Sequence, residues 1–229
     1  MKPILFNTQM VQAIQADRKT VTRRKPFQMP SDYNELKGLY RDDKNRLCAL
    51  FQCSKDLTAQ AVYAPSQPGD ILWVRETWWK NYGHKYGTYF YRADGEEIDI
   101  PLITGGTRKH GKADGLKWRP SIHMPKEAAR LFLRVTGVRM ERLQDITPED
   151  VECEGIDWIG IDWIKNTLLR YDPSTIHSES KRRFAQLWNS TIKPTDLIVR
   201  GWDANPWVWV IAFERIDKAT AQREEACHA

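Results

Sequence analysis

The apolar segments of this 229-residue chain are short, and turn-forming residues separate them at close intervals. Residues 71–74 follow a Pro-Gly-Asp turn, residues 131–138 alternate with the period of a strand, and residues 207–213 form the most apolar run. The helical patterns between them do not recur in the regular strand–helix–strand rhythm of a doubly wound sheet. We therefore predict an α+β fold, built as a small mixed β-barrel flanked by helices.

Local signals predict where several elements begin and end. A short strand over residues 4–6 precedes a helix with Thr8 as its N-cap, and this helix ends near Asp17. A second helix has Thr147 as N-cap and ends at Gly155. Residues 94–117 are rich in Gly, Lys and Asp, which predicts a loop.

Positive charge is concentrated near the N-terminus. The net charge is +5, and residues 1–55 carry 11 Lys/Arg against 5 Asp/Glu, a balance of +6, whereas the remaining 174 residues carry 24 against 25. Such a local cluster favours a surface that binds a polyanion, with a solvated face as the alternative. Some of the ten tryptophans are candidates for stacking on bases.

The same composition bears on the compartment and on cofactors. No apolar run approaches the roughly 20 residues that span a bilayer, and the N-terminus becomes polar too soon for a signal peptide. Four cysteines in a chain of this length do not make a disulfide framework, so we expect a cytoplasmic protein without a membrane partner. Cys48 and Cys53 have no second close pair of Cys or His, and no nucleotide-binding glycine motif is present. We predict neither a metal site nor a cofactor.

Residues 18–24, Arg-Lys-Thr-Val-Thr-Arg-Arg, are the sharpest local feature. Lys19 is a potential base, and neighbouring arginines should lower its pKa because like charge disfavours the ammonium. A partly neutral lysine can activate a hydroxyl such as that of Thr20 or Thr22. The alternative is a basic strand edge that only contacts phosphates. The acidic residues of the helix near 149–154 offer a carboxylate for acid or base chemistry, and spacing does not choose among them.

Several stretches together resemble the ASCH family of the PUA-like superfamily. The resemblance is carried by residues 18–23, 68–72, 146–156 and 207–213. Residues 118–125, Trp-Arg-Pro-Ser-Ile-His-Met-Pro, resemble prophage-encoded members of that family. The resemblance implies a PUA-like barrel whose cleft binds RNA or a modified nucleoside.

The length of the chain, compared with a minimal ASCH domain, implies long inserted loops. We expect a single domain over residues 1–217, with insertions near 27–66, 80–117 and 157–177. Residues 218–229 are expected to form a flexible tail.

One bacterial branch of the ASCH family removes the acetyl group from acetylcytidine with a lysine, a threonine three residues later and a glutamate from a downstream helix. Lys19 and Thr22 match the lysine and the threonine, and ungapped matching of the helix places Glu154 at the position of the glutamate. The resemblance thus implies an amidohydrolase with Thr22 as nucleophile, Lys19 as its base, and Glu154 as proton shuttle or substrate anchor. The family usually has glycine where Asp17 stands, and Asp tolerates the left-handed conformation that a glycine would supply.

Further residues are predicted to contact a substrate or nucleic acid through phosphates, an oxyanion or a base edge. They are Arg18, Arg23, Arg24, Arg119, Ser121, His123 and Asn205. Two alternatives to the hydrolase remain: a non-catalytic module that binds RNA or a modified base, and a ribonuclease in which Lys19 and the arginines support phosphodiester cleavage.

Overall fold

The computed structural model describes residues 1–26, 33–81, 88–95, 98–101, 107–110, 117–156 and 173–227. The predicted insertion at 157–177 therefore lies largely outside the described residues, as do parts of the insertions at 27–66 and 80–117. No helix within the described ranges is long and apolar enough to cross a bilayer.

The described residues form twelve strands and five α-helices, so the predicted α+β class is confirmed. The strands are β1 (Lys2–Leu5), β2 (Val21–Arg24), β3 (Tyr33–Arg41), β4 (Leu47–Cys53), β5 (Ala59–Tyr63), β6 (Ile71–Arg75), β7 (Trp78–Asn81), β8 (Thr88–Tyr91), β9 (Ile98–Pro101), β10 (Thr107–His110), β11 (Phe132–Arg142) and β12 (Trp207–Ile216). The helices are α1 (Thr8–Gln15), α2 (Pro148–Cys153), α3 (Pro173–Ser190), α4 (Leu197–Arg200) and α5 (Lys218–Cys227). Short 3-10 turns lie at Arg92–Asp94, Ser121–His123, Lys126–Ala128, Leu143–Asp145 and Pro194–Asp196.

The chain divides into two compact units. The first comprises Met1–Asp17, Ile71–Arg134 and Arg215–Ala229, and the second comprises Arg18–Asp70 and Val135–Glu214. The single domain expected over residues 1–217 stays a prediction.

In the first unit, β1 runs parallel to β6, and β6 pairs antiparallel with residues 132–134 of β11. Two hairpins, β7–β8 and β9–β10, complete its strands among the described residues. The second hairpin lies within residues 94–117, where we predicted a loop. One buried core cluster of this unit consists of Ile71, Trp73, Trp78, Met124, Ala128, Ala129, Phe132 and Ala221.

The end of the chain also differs from the prediction. Residues 218–227 form α5 rather than a flexible tail. Ala221 is buried in the core of the first unit, and Glu225 pairs with the N-terminal ammonium at 2.7 Å and with Lys126 at 2.9 Å. The apolar residues of this segment form only a weakly amphipathic pattern. The segment is held instead by the burial of Ala221 and by these ion pairs.

In the second unit, the strand order is β11, β12, β2, and β3–β4–β5 form a separate antiparallel sheet. Directly paired residues of antiparallel strands share a face. Val21 and Arg23 therefore lie on one face of β2, opposite Ala212 and Val210, whereas Thr22 lies on the other, opposite Ile211. One core cluster consists of Val21, Leu143, Ile146, Val151, Phe184, Val208 and Val210, and another of Ala49, Phe51, Val62, Met140 and Trp209.

Side-chain caps fix the beginnings of α1 and α2. The cap of α1 is Asn7 rather than Thr8, because Asn7 is extended and its side chain accepts a hydrogen bond from the Met10 N–H at 2.8 Å. The predicted cap of α2 is confirmed: the Thr147 hydroxyl accepts from the Asp150 N–H at 3.2 Å.

Candidate functional site

The turn between α1 and β2 brings Lys19 to the end of α2. Asp17 adopts φ +53°, so the left-handed conformation expected there is confirmed. The backbone N–H of Thr20 donates to the Cys153 carbonyl at 2.9 Å, and Lys19 and Glu154 form an isolated antiparallel bridge. The end of α2 is thereby held against the start of β2 by main-chain hydrogen bonds.

A buried ion pair joins Lys19 and Glu154. The Lys19 Nζ donates to Glu154 Oε2 at 2.6 Å, to the Glu154 carbonyl at 2.9 Å and to the Val21 carbonyl at 2.9 Å. Lys19 is 2% exposed and Glu154 4% exposed. Three acceptors thus surround the three N–H groups of an ammonium that is shielded from water.

The pKa of Lys19 is lowered from its ordinary value, chiefly because burial disfavours the charged amine. Glu154 opposes this by its charge and hydrogen bond, and the charges of Arg24 and Arg23 lower the pKa further. The direction predicted from the sequence is confirmed. The cause differs, since desolvation outweighs the neighbouring arginines.

Thr22 lies one residue beyond the carbonyl that Lys19 contacts. It is buried in β2, on the face opposite Val21 and Arg23. No hydrogen bond to the Thr22 hydroxyl occurs within the described parts of the chain. The three residues implied by the family resemblance therefore all lie in the second unit, where β2 meets the end of α2.

Arg23 connects Glu154 to two further carboxylates. Its Nη1 donates to Glu154 Oε1 at 3.2 Å, and its Nη2 donates to Glu141 Oε1 at 2.6 Å and to Asp150 Oδ2 at 2.9 Å. The guanidinium also lies 5.7 Å from the ring centroid of Phe184. Its side chain is fully buried, so Arg23 holds the carboxylates of this cluster in place.

Sequence analysis did not find Glu141 or its partner Arg139. Arg139 Nε donates to Glu141 Oε2 at 3.0 Å, and Arg139 Nη2 donates to Asp150 at 3.1 Å. The available signal was their spacing of two residues within β11, which places both side chains on one face of the strand.

Arg24 and Arg18 occupy different surroundings. Arg24 is paired with Trp209 across the strands and shares the face of Thr22; burial lowers its pKa and the Glu154 charge raises it. Arg18 is exposed, and its Nη1 donates to the Gly155 carbonyl at 3.3 Å. Of the predicted cations, Arg24 is therefore the one on the face of Thr22.

Asn205 lies in a turn before β12. Its backbone has φ +43°, and its side-chain oxygen accepts from the Gln144 N–H at 2.9 Å. Its carbonyl accepts from Arg142 Nη1 at 3.1 Å. Both bonds stabilise the turn, and base-edge recognition by Asn205 stays a prediction.

Arg119, Ser121 and His123 belong to the first unit. The backbone of Arg119 bridges Trp78 through bonds of 2.8 and 3.2 Å, and its guanidinium lies 5.3 Å from the ring centroid of Trp78. Ser121 and His123 bound a 3-10 turn, with Ser121 half-buried and His123 exposed. Their predicted contacts with a ligand stay predictions.

The first unit holds a second charged cluster that the sequence analysis missed. Arg130 donates to both oxygens of the buried Glu76 at 2.8 and 2.9 Å and to both of Asp94 at 2.7 Å. Burial raises the pKa of Glu76, and it raises that of Tyr91 to about 12. Arg130 lies 3.9 Å from the Tyr91 ring centroid, so it connects Glu76 to the end of β8 and to the 3-10 turn that follows it.

Across the ranges that the structure describes, no group of three His, Cys, Asp or Glu side chains is arranged to hold a metal ion. Comparison with known proteins gave no match to a family model, to a curated protein or to a solved structure.

Proposed function

We propose that this chain is a PUA-like protein of the ASCH type that binds RNA or a modified nucleoside and hydrolyses the acyl-amide of an acetylcytidine-like base. The observation that carries the proposal is the buried ion pair between Lys19 Nζ and Glu154 Oε2 at 2.6 Å, with the buried Thr22 one residue beyond the Val21 carbonyl that Nζ contacts. These three residue types can supply a proton acceptor, a relay and a nucleophile.

The reaction begins with proton transfer inside the ion pair. Glu154 takes a proton from the Lys19 ammonium, which burial already disposes to lose it. The neutral Nζ then takes the proton of the Thr22 hydroxyl as the hydroxyl oxygen attacks the acyl carbon.

The tetrahedral intermediate collapses by breaking the carbon–nitrogen bond. The exocyclic nitrogen of the base leaves with the proton held on Nζ, and the acetyl group remains on Thr22 as an ester. Water then attacks the ester, with its proton taken by the same amine. As the ester bond breaks, Nζ gives this proton to the Thr22 oxygen, which restores the hydroxyl and releases acetic acid. Glu154 then returns its proton to the neutral Lys19, and the acetic acid ionises to acetate in solution.

The oxyanion of this intermediate requires a cation or an N–H donor on the face of Thr22. Arg23 lies on the opposite face and donates to three carboxylates. Arg24 shares the face of Thr22, and we assign it this role.

A non-catalytic module that binds a modified base is the second candidate. It is favoured by the three acceptors around Lys19 Nζ, because a lysine with a purely structural role would have the same surroundings. In that case the cluster would shape a binding surface without turning over a ligand.

The experiment uses chromatography to measure the release of cytidine from acetylcytidine. It compares the wild type with Lys19→Ala, Thr22→Ala and Glu154→Ala. Thr20→Ala is the matched control, because it removes an exposed hydroxyl two residues away. The hydrolase predicts cytidine release that is lost in the three variants and kept in the control. Calorimetric binding without release by the wild type would favour the second candidate, and neither binding nor release would refute both.

A further inference from the structure

The sheet formed by β3, β4 and β5 has one buried and one open face. Ala49, Phe51 and Val62 point into a core cluster. Because side chains alternate along a strand, the residues between them point away from that core. Cys48 and Leu50 of β4 therefore belong to the opposite face.

Two exposed tyrosines lie in one row of this open face. Tyr40 of β3 pairs with Cys48 of β4, and Cys48 pairs with Tyr63 of β5, so all three side chains share a face. Tyr40 is 49% exposed and Tyr63 is 44% exposed. Their backbones are two strand spacings apart, which is about 9–10 Å. We call this row and its surroundings the tyrosine face.

Two of the three residues in the neighbouring row are small. This row consists of Gly38, Leu50 and Ala61, which pair across the three strands. A Cβ added at Gly38 would meet the Tyr40 ring at 3.4 Å, so this ring leans back along β3 over the glycine. Gly38 has φ +149°, a conformation that favours glycine. The ring is thus held against the sheet while half of the residue remains open to water.

Cations border the same face at the turn between β3 and β4. The Arg46 guanidinium lies 4.3 Å from the Tyr63 ring centroid, and it also pairs with Asp42 at 2.7 Å. Lys44 is exposed in this turn, whereas Arg41 pairs with Leu47 on the opposite face of the sheet. Residues 33–63, which include the three strands, carry five Lys/Arg and four Asp/Glu, a balance of +1.

We propose that the tyrosine face binds single-stranded RNA, with one base stacked on Tyr40 and one on Tyr63. Aromatic rings on an open sheet accept bases of any identity, and adjacent arginines and lysines neutralise the phosphates. Arg46 strengthens the site because it already lies over one of the two rings. The partner is a nucleic-acid strand rather than a protein, since a guanidinium lies over one of the two exposed rings.

The test is the fluorescence anisotropy of a short labelled oligouridylate, titrated with the wild type, Tyr40→Ala, Tyr63→Ala and the two Tyr→Phe variants. Each alanine variant is expected to bind roughly 5- to 150-fold more weakly, and each phenylalanine variant within about twofold of the wild type, because the ring does the stacking. Ile198→Ala is the control: Ile198 is 86% exposed on α4 and has no ring.

Two results would overturn this proposal. One is a folded wild type that binds no oligouridylate, or alanine variants that bind it as the wild type does. The other is a change of oligomeric state in sedimentation when the tyrosines are removed, with RNA affinity unchanged, which would make the face a contact between copies of this chain. The assay needs no turnover, so its outcome is independent of the proposed hydrolysis.

Discussion

Replacing Glu154 with alanine is expected to lower the free energy of unfolding by about 3–5 kcal/mol, the cost of breaking a buried ion pair by removing one partner. The Lys19 side chain is fully buried and its Nζ lies 2.6 Å from the Glu154 carboxylate. Without that carboxylate, the ammonium keeps its hydrogen bonds to the Val21 and residue-154 carbonyls, but it loses the charge of Glu154 in a site closed to water.

Most of this cost comes from Lys19. Arg23 loses only its longest ionic contact, the 3.2 Å bond to Glu154, and keeps Glu141 and Asp150. A double variant, Lys19→Met with Glu154→Leu, removes both charges together. It should be less destabilised than Glu154→Ala alone, because no buried charge remains unpaired.

The assay is urea denaturation, with midpoints compared at constant slope. Glu127→Ala is the control, since this exposed carboxylate should change stability by no more than about 0.5 kcal/mol. A loss below about 1 kcal/mol for Glu154→Ala would refute the reasoning. So would a double variant whose loss equals the sum of the two single losses.

Three further predictions concern local structure. Thr147→Ala should cost about 1 kcal/mol in urea denaturation because it removes the cap of α2, and an unchanged midpoint would contradict this. Asp17→Val should cost about 1–2 kcal/mol because φ is +53°, whereas Asp17→Gly should cost less; equal losses would argue against backbone strain. Arg182 and Arg183 lower the pKa of Glu179 to about 2. The stability that Glu179 adds over Glu179→Gln should therefore be present above about pH 4.3 and disappear as pH falls towards 2, and a difference that is constant with pH would refute it.

Helix α2 shows what sequence can predict well. Its cap, its first residue and its end are set by neighbouring residues: Thr147 accepts a main-chain hydrogen bond, Pro148 suits the first turn, and Gly155 has φ +79°. These are short-range effects, and the structure confirms them. At α1 the same logic predicted Thr8, whereas the cap is Asn7, because both residue types cap well and the backbone conformation decides.

The ion pair of Lys19 and Glu154 could not be predicted from local sequence signals. The two residues are 135 positions apart, and spacing alone did not select Glu154 from the acids of its helix. The choice came from a family resemblance. What brings them together is main-chain pairing between the start of β2 and the end of α2, which depends on the tertiary fold.

Burial was the quantity least accessible from sequence. Arg23 was predicted to meet a ligand, yet its side chain is fully buried among Glu141, Asp150 and Glu154. In the opposite sense, Tyr40 would be assigned to a core by composition alone, and it is 49% exposed. Both outcomes follow from which face of a strand points inward, and that is fixed by the packing of distant elements.

The pH profile of acetylcytidine hydrolysis tests the central claim most directly, with Thr22→Ala as the blank. In the proposed mechanism Lys19 and Glu154 hold one ionisable proton between them before Thr22 is activated, so kcat/KM should fall as acid adds a second proton to the pair. Cytidine release by the wild type with this profile, and none by Thr22→Ala, is the expected result. No release at any pH, or equal release by Thr22→Ala, would contradict the account.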